Sequence, residues 1–129
     1  MTKSILIVDD EQEILDVIGE MLGSLGYSSQ GVKQGTEALR LIKKRKFDLV
    51  ITDLIMPEMG GLIFIKKLRR QAKDIPIIIT AGVDLKDSCV DLNKYGINDF
   101  IRKPFFIDDV DKKLKKLLEE SKLALIAEK

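Results

Sequence analysis

The sequence predicts an α/β fold: a doubly wound, five-stranded parallel sheet in the order 2-1-3-4-5, with five helices. Three observations lead there. Short β-branched runs alternate with longer segments whose apolar residues recur every three or four positions, the pattern that crossover helices between parallel strands require. Three of the runs are almost wholly apolar, as strands covered on both faces must be. The other two carry polar residues, which suits the sheet edges.

In order, the runs are ILIV at 5–8, YSSQGV at 27–32, DLVIT at 48–52, PIIIT at 76–80 and NDFIR at 98–102. Ser28, Ser29 and Gln30 send the second run to one edge, and Asn98, Asp99 and Arg102 send the fifth to the other. Five helical stripes lie between and after them. They are Ile14, Leu15, Ile18, Leu22 and Leu25; Ala38, Leu39 and Ile42; Leu62, Ile65, Leu68 and Ala72; Leu85, Cys89 and Leu92; and Ile107, Val110, Leu114, Leu117, Leu118 and Leu125. In the last stripe Asp108, Asp109 and Asp111 precede Lys112, Lys113, Lys115 and Lys116, an order that suits the helix dipole and equally an ordinary solvated face.

Composition narrows the function. A chain of 129 residues is one domain by size, expected to span 1–129 with its core at about 4–120. It can bury roughly two-thirds of its unfolded surface, so it needs no disulfide. The single Cys89 cannot form one within the chain and is expected to be a buried residue of the fourth helix; a lone thiol fits a reducing, cytoplasmic setting. The start, MTKSILIVDD, meets two acids after four apolar residues and is neither a signal peptide nor a membrane span. With 22 basic and 21 acidic residues, bulk charge gives no support for direct nucleic-acid binding. The chain has no histidine, which removes Ser-His and Cys-His catalytic pairs and most zinc sites.

The polar residues at the ends of the runs are more informative. Asp9 and Asp10 come directly after the first, Asp53 after the third and Lys103 after the fifth, and Thr80 closes the fourth. In open parallel sheets ligands bind outside the carboxyl ends of the strands, where the strand order reverses, here between strands one and three. Each residue has a plainer reading: helix capping for Asp9 and Asp10, a polar strand end for Asp53, a strand residue for Thr80, a surface lysine for Lys103. One cap needs one acid, however, and Asp9, Asp10, Glu11 and Glu13 supply four. Carboxylates about 4 Å apart repel by roughly 4 kcal/mol at an effective dielectric of about 20. Three together therefore need a cation or protons. Their hard oxygens suit Mg²⁺, with Mn²⁺ as a substitute. Thr80 and Lys103 are donors suited to phosphoryl oxygens, and Pro104 makes Lys103–Pro104 a candidate cis peptide.

Four segments, ILIVDDE at 5–11, DLIMPEMGG at 53–61, IIITA at 77–81 and KPF at 103–105, occur in one order over residues 4 to about 120. By these segments the chain resembles the receiver domain of the response regulators of two-component signalling, whose fold is CheY-like or flavodoxin-like. The resemblance implies that Asp53 accepts a phosphoryl group from the phosphohistidine of a sensor histidine kinase or a phosphotransfer protein. It implies that Asp9, Asp10 and Asp53, with the backbone carbonyl of Ile55, hold Mg²⁺, and that Lys103 and Thr80 bind phosphoryl oxygens. Phe100 matches the aromatic switch position that turns inward when Thr80 is drawn to the phosphate. A surface at about 84–121 would signal to an output domain or a downstream protein, and homodimerisation remains open. No output domain is expected within these residues, nor any turnover of a free substrate or contact with a membrane.

The chain departs from the family pattern in two places. Gly60-Gly61 stands where Asp-Gly is common, which loosens the start of the third helix without touching the chemistry. Phe100 lacks the hydroxyl of a tyrosine, so a switch there works by packing. Ile55 and Gly82, each two residues beyond a site residue, cannot orient a water, so slow loss of the phosphoryl group is expected. Rival readings fit less well. A haloacid-dehalogenase-like phosphatase wants an acid at the position of Ile55, and a nucleotide-binding domain wants glycines where DDEQE stands. A receiver-like module that is never phosphorylated would commonly have lost an acid or the lysine, and none is lost here.

Overall fold

The computed structural model of the chain describes residues 2–54, 60–82 and 93–127. Its elements are β1 Ser4–Val8, α1 Gln12–Ser24, β2 Ser28–Val32, α2 Gly35–Lys44, β3 Leu49–Asp53, α3 Gly61–Gln71, β4 Ile77–Ala81, β5 Asp99–Arg102 and α4 Ile107–Ala127. All strand pairs are parallel and the order is β2-β1-β3-β4-β5. The expected fourth helix, with Leu85, Cys89 and Leu92, lies at 83–92, outside the described residues, so four of the five expected helices are described and the last is α4.

Strand alternation divides the core into two layers. Ile5, Ile7, Leu49, Ile51, Ile78 and Ile101 pack with Leu15, Ile18 and Leu22 of α1 and with Val110, Leu114, Leu117 and Leu118 of α4. Leu6, Val8, Val50, Ile77 and Ile79 pack on the other face with Ala38 of α2 and Phe64, Ile65 and Leu68 of α3. Both faces of the central strands are covered, hence their unbroken apolar runs. On edge strand β2, Ser28 and Ser29 are exposed. Among the described residues no helix is long and apolar enough to cross a membrane.

The helices differ from their stripes in detail. On α3 the buried arc is Gly61, Phe64, Ile65 and Leu68, so Phe64 fills the core and Leu62, one residue off that arc, is half-buried. Ile107 opens α4 ahead of the turn that reaches the sheet at Val110 and stays 39% exposed. Leu25 and Ala72 cap α1 and α3 rather than continue them. β3 and β4 each run one residue beyond their predicted ends, to Asp53 and Ala81, and Asp53 lies in direct register with Thr80.

Arg69, near the end of α3, clamps the lower rim. Its guanidinium donates to the carbonyls of Ala72 (3.3 Å), Lys73 (3.0 Å), Ile75 (2.6 Å) and Gly96 (2.5 Å), and to Asn98 Oδ1 (3.2 Å). Burial pushes its pKa down from the usual arginine value, which the neighbouring Asp74 opposes. Gly96 stands at φ 71°, and a Cβ there would come 2.7 Å from Arg69 Nε. A single ammonium cannot replace this fork of donors. Arg69→Lys should therefore lower the unfolding free energy by roughly 1–3 kcal/mol, because several part-buried carbonyls lose their partner. A urea titration with unchanged slope and a lower midpoint is the check.

Candidate metal and phosphoryl site

The sheet register builds the site. β1 and β3 are neighbours with Val8 opposite Thr52, so Asp9 and Asp53 leave adjacent strands at the same end. Asp9 N–H donates to Val32 C=O at 3.1 Å and carries the β1–β2 ladder one residue past the strand. The Asp9 side chain points inward and the residue is 1% exposed. Its Oδ1 accepts from the Glu11 N–H at 2.9 Å, ahead of a helix whose N-cap, Glu11, makes no side-chain cap. Capping thus accounts for one oxygen of Asp9. The other, Oδ2, is buried without a hydrogen-bond partner.

One oxygen each from Asp9, Asp10 and Asp53 lies within 4.8 Å of the others. Asp10 is exposed at the rim and Asp53 is half-buried. Burial pushes the Asp9 carboxyl up to about 6, against the lowering effect of the Glu11 N–H, and the charge of Asp53 adds to the rise. An orphaned buried oxygen beside two more carboxylates fits a hard divalent cation.

Opposite the acids stand two donors. Lys103 N–H donates to Ala81 C=O at 2.9 Å, extending the β4–β5 ladder, and Lys103 Nζ lies 3.9 Å from Asp53 Oδ2. The Lys103–Pro104 peptide bond is cis. Thr80 pairs with Asp53 across β3 and β4, and its Oγ1 is buried without a partner. Among the described residues, Asp9 Oδ2 and Thr80 Oγ1 are the buried side-chain oxygens left unsatisfied; Asp9 follows β1 and Thr80 is the penultimate residue of β4 at this rim. Ile55 falls in 55–59, outside the described residues, so its carbonyl is not placed.

The close approach of the start of α3 to the end of β3 explains the two glycines. Gly61 N–H donates to Leu54 C=O at 2.9 Å, and a Cβ on Gly61 would collide with that oxygen. Gly60 stands at φ 78°. The helix start is therefore closed by backbone contacts, with no side-chain cap.

Residues 5–115 match the family described as the response regulator receiver domain. The chain belongs to that family. It is 32% identical over 124 residues to the alkaline phosphatase synthesis transcriptional regulatory protein PhoP of Bacillus subtilis, covering 96% of this chain and 52% of that protein. It is 32% identical over 118 residues to chemotaxis protein CheY-3 of Vibrio cholerae, covering 89% of this chain and 91% of that one. This receiver domain thus spans about half the length of PhoP and of the MprA response regulators it also matches. Among solved structures, a CheY-like receiver domain protein from Methanospirillum hungatei superposes with a TM-score of 0.87 at 30% identity, over 96% of this chain and 99% of that one. NtrX of Brucella abortus superposes with a TM-score of 0.92 at 28% identity, over 99% of this chain and 29% of that one.

Two residues of this receiver domain escaped the sequence reading. Thr52 Oγ1 donates to the carbonyl of Asp53 at 3.2 Å and steadies that residue's backbone. Lys113 of α4 donates to the carbonyl of Phe100, lies 4.8 Å above its ring, and approaches Asp109 at 3.5 Å and Asp99 at 4.0 Å. Phe100 itself pairs with Ile79 and packs half-buried against the α2–α3 layer, while Thr80 pairs with Ile101. In sequence Lys113 is one lysine in a row of them; only the fold shows its contact thirteen residues back.

The raised pKa of Asp9 sets a pH dependence for the metal-free protein. An acid held above its unfolded value stabilises the fold while protonated. That stability is complete below about pH 4 and is lost as pH rises through about 6. Asp9→Asn should remove the loss and raise metal-free stability by roughly 1–3 kcal/mol at pH 7, with little effect near pH 4. Urea titrations in EDTA at the two pH values measure this; equal effects at both would contradict the burial of a charge at Asp9.

Proposed function

We propose that this receiver domain accepts a phosphoryl group on Asp53 from the phosphohistidine of a sensor histidine kinase or a phosphotransfer protein. The change would then reach an output domain or a downstream protein through the surface at about 84–121. The observation that carries this reading is the position of Asp53: acids on one side, with Asp9 and Asp10 within 4.8 Å, and the Lys103 ammonium at 3.9 Å on the other. We read residues 4–120 as the core of the receiver domain, acting on itself rather than turning over a free substrate.

Asp9, Asp10 and Asp53 would hold Mg²⁺, with the Ile55 carbonyl as a further ligand; when bound, the ion offsets the charge of the incoming phosphoryl oxygens. An Asp53 carboxylate oxygen attacks phosphorus in line. The P–N bond of the donor breaks and its electron pair returns to the imidazole nitrogen. Lys103 moves from Asp53 to a phosphoryl oxygen, as a flexible ammonium can. The Thr80 hydroxyl, buried and unpartnered at rest, donates to another. Positioning and charge complementarity supply most of such a step. Displacement of Thr80 opens space beside edge strand β5, where Phe100 repacks, and Lys113 links that movement to α4.

Acetyl phosphate and Mg²⁺ should raise the intact mass of the protein by one phosphoryl group, and Asp53→Asn should abolish the gain. Labelling of Asp53→Asn to the same extent would overturn the assignment. Loss of the group after an EDTA chase should be slow, since neither Ile55 nor Gly82 has a polar side chain to orient water. Ile55→Asn should accelerate it roughly tenfold or less, in the range of a single positioning contact; an unchanged rate would remove this explanation.

A further inference from the structure

The net charge of +1 conceals a separation of charge across the sheet. α1 carries Glu13, Asp16 and Glu20 and no lysine or arginine, whereas α3 carries Lys66, Lys67, Arg69 and Arg70 and no acid. α2, beside α3, adds exposed Arg40, Lys43 and Lys44 against Glu37. α1 packs on one face of the sheet, and α2 and α3 on the other.

The exposed stripes of α1 and α3 share one spacing. On α1, Glu13, Asp16, Val17 and Glu20 stand at i, i+3, i+4 and i+7, and Val17 is 41% exposed. On α3, Ile63, Lys66, Lys67 and Arg70 stand at the same offsets, and Ile63 is 53% exposed. Each stripe combines three like charges with one exposed aliphatic side chain, Val17 within the acids of α1 and Ile63 one turn ahead of the bases of α3. Like charges at these offsets destabilise the helix that bears them. The helix dipole accounts for Glu13 in the first turn of α1 and Arg70 in the last turn of α3, but not for Glu20 in the second half of α1 or Lys66 in mid-helix. Among the described residues none of these charges is held in an ion pair; Lys66 lies 5.5 Å over the ring of Tyr95, and Asp16 accepts from Gln12.

We infer that the α3 stripe, flanked by the basic residues of α2, docks the α1 stripe of a second copy of this chain. Charge sign and spacing are complementary, so that with the helices parallel Asp16 meets Lys66 and Glu20 meets Arg70, and a net charge near zero leaves little repulsion between copies. A polyanion would match the bases but would leave Ile63, one turn ahead of them and 53% exposed, without an apolar partner. The two faces lie on opposite sides of the sheet, so one molecule engages both at once. The contact is head-to-tail and grows chains instead of closing a dimer. Resting on two helix faces, it is small, weak and salt-labile.

Sedimentation equilibrium of the whole chain tests this. At an ionic strength of about 0.02 M the weight-average mass should rise at least ~1.5-fold between about 10 μM and 1 mM, and should return to the monomer value near 0.5 M salt, where screening is short-ranged. The triple variants Glu13→Lys, Asp16→Lys, Glu20→Lys and Lys66→Glu, Lys67→Glu, Arg70→Glu should each stay monomeric, with circular dichroism confirming the fold. An equimolar mixture of the two should associate again. A control with Lys3→Glu, Lys112→Glu and Lys116→Glu, which changes net charge as much as the α3 triple variant but outside both stripes, should behave as wild type. A wild-type monomer at all concentrations, failure of the mixture to recover, or equal loss in the control would each overturn the proposal. So would a monomer that instead binds a 20-base-pair DNA duplex through Lys66, Lys67 and Arg70, since the face would then be a polyanion site.

Discussion

A buried negative charge held close to two others governs the rim of this domain. Asp9 is 1% exposed, and one of its oxygens has no hydrogen-bond partner. An ionised carboxylate removed from water is unfavourable unless it is paired, and it responds by taking up a proton or a cation. Had the site evolved only to cap α1, a donor facing Oδ2 would have closed it at little cost. Instead the space beside Oδ2 is shared with oxygens of Asp10 and Asp53. The rim is therefore an electrostatically unfavourable arrangement that a divalent ion would relieve.

The sheet gives this arrangement a fixed centre and an adjustable side. Asp53 ends β3, which is hydrogen-bonded to β1 on one side and β4 on the other, within an almost unexposed run. Lys103 follows β5 and Phe100 lies within it, and that edge strand has a single partner ladder, with β4. Moving a group on β5 disturbs one ladder, whereas moving Asp53 would disturb two. Lys113 ties the β5 backbone and the Phe100 ring to α4, so the site end of β5 is in contact with the face of a helix. Arg69 fixes the opposite end of the same region through carbonyls of the α3–β4 connection and Gly96.

The sheet order and the convergence of Asp9, Asp10, Asp53, Thr80 and Lys103 were legible in the sequence because both depend on local signals. Apolar runs mark buried strands, Ser28 and Asp99 mark edges, and a polar residue at the end of a run marks the rim. Long-range contacts were not legible. Nothing near Lys113 in the chain announces Phe100, and nothing near Arg69 announces Gly96. Phe64 escaped its stripe because the buried arc of α3 is fixed by Gly61, whose close approach to Leu54 appears only once the turn is folded. The separation of charge escaped because composition sums over the molecule, while the sheet sorts α1 and α3 to opposite faces.

Calorimetric titration of the protein with Mg²⁺ at pH 6 and at pH 8, in buffers of different ionisation enthalpy, tests the central claim most directly. Binding should be accompanied near pH 6 by release of a substantial fraction of a proton, displaced from Asp9, and by almost none at pH 8. Absence of binding at millimolar Mg²⁺, or binding with no proton released at either pH, would contradict the account of a buried carboxylate that waits for a cation.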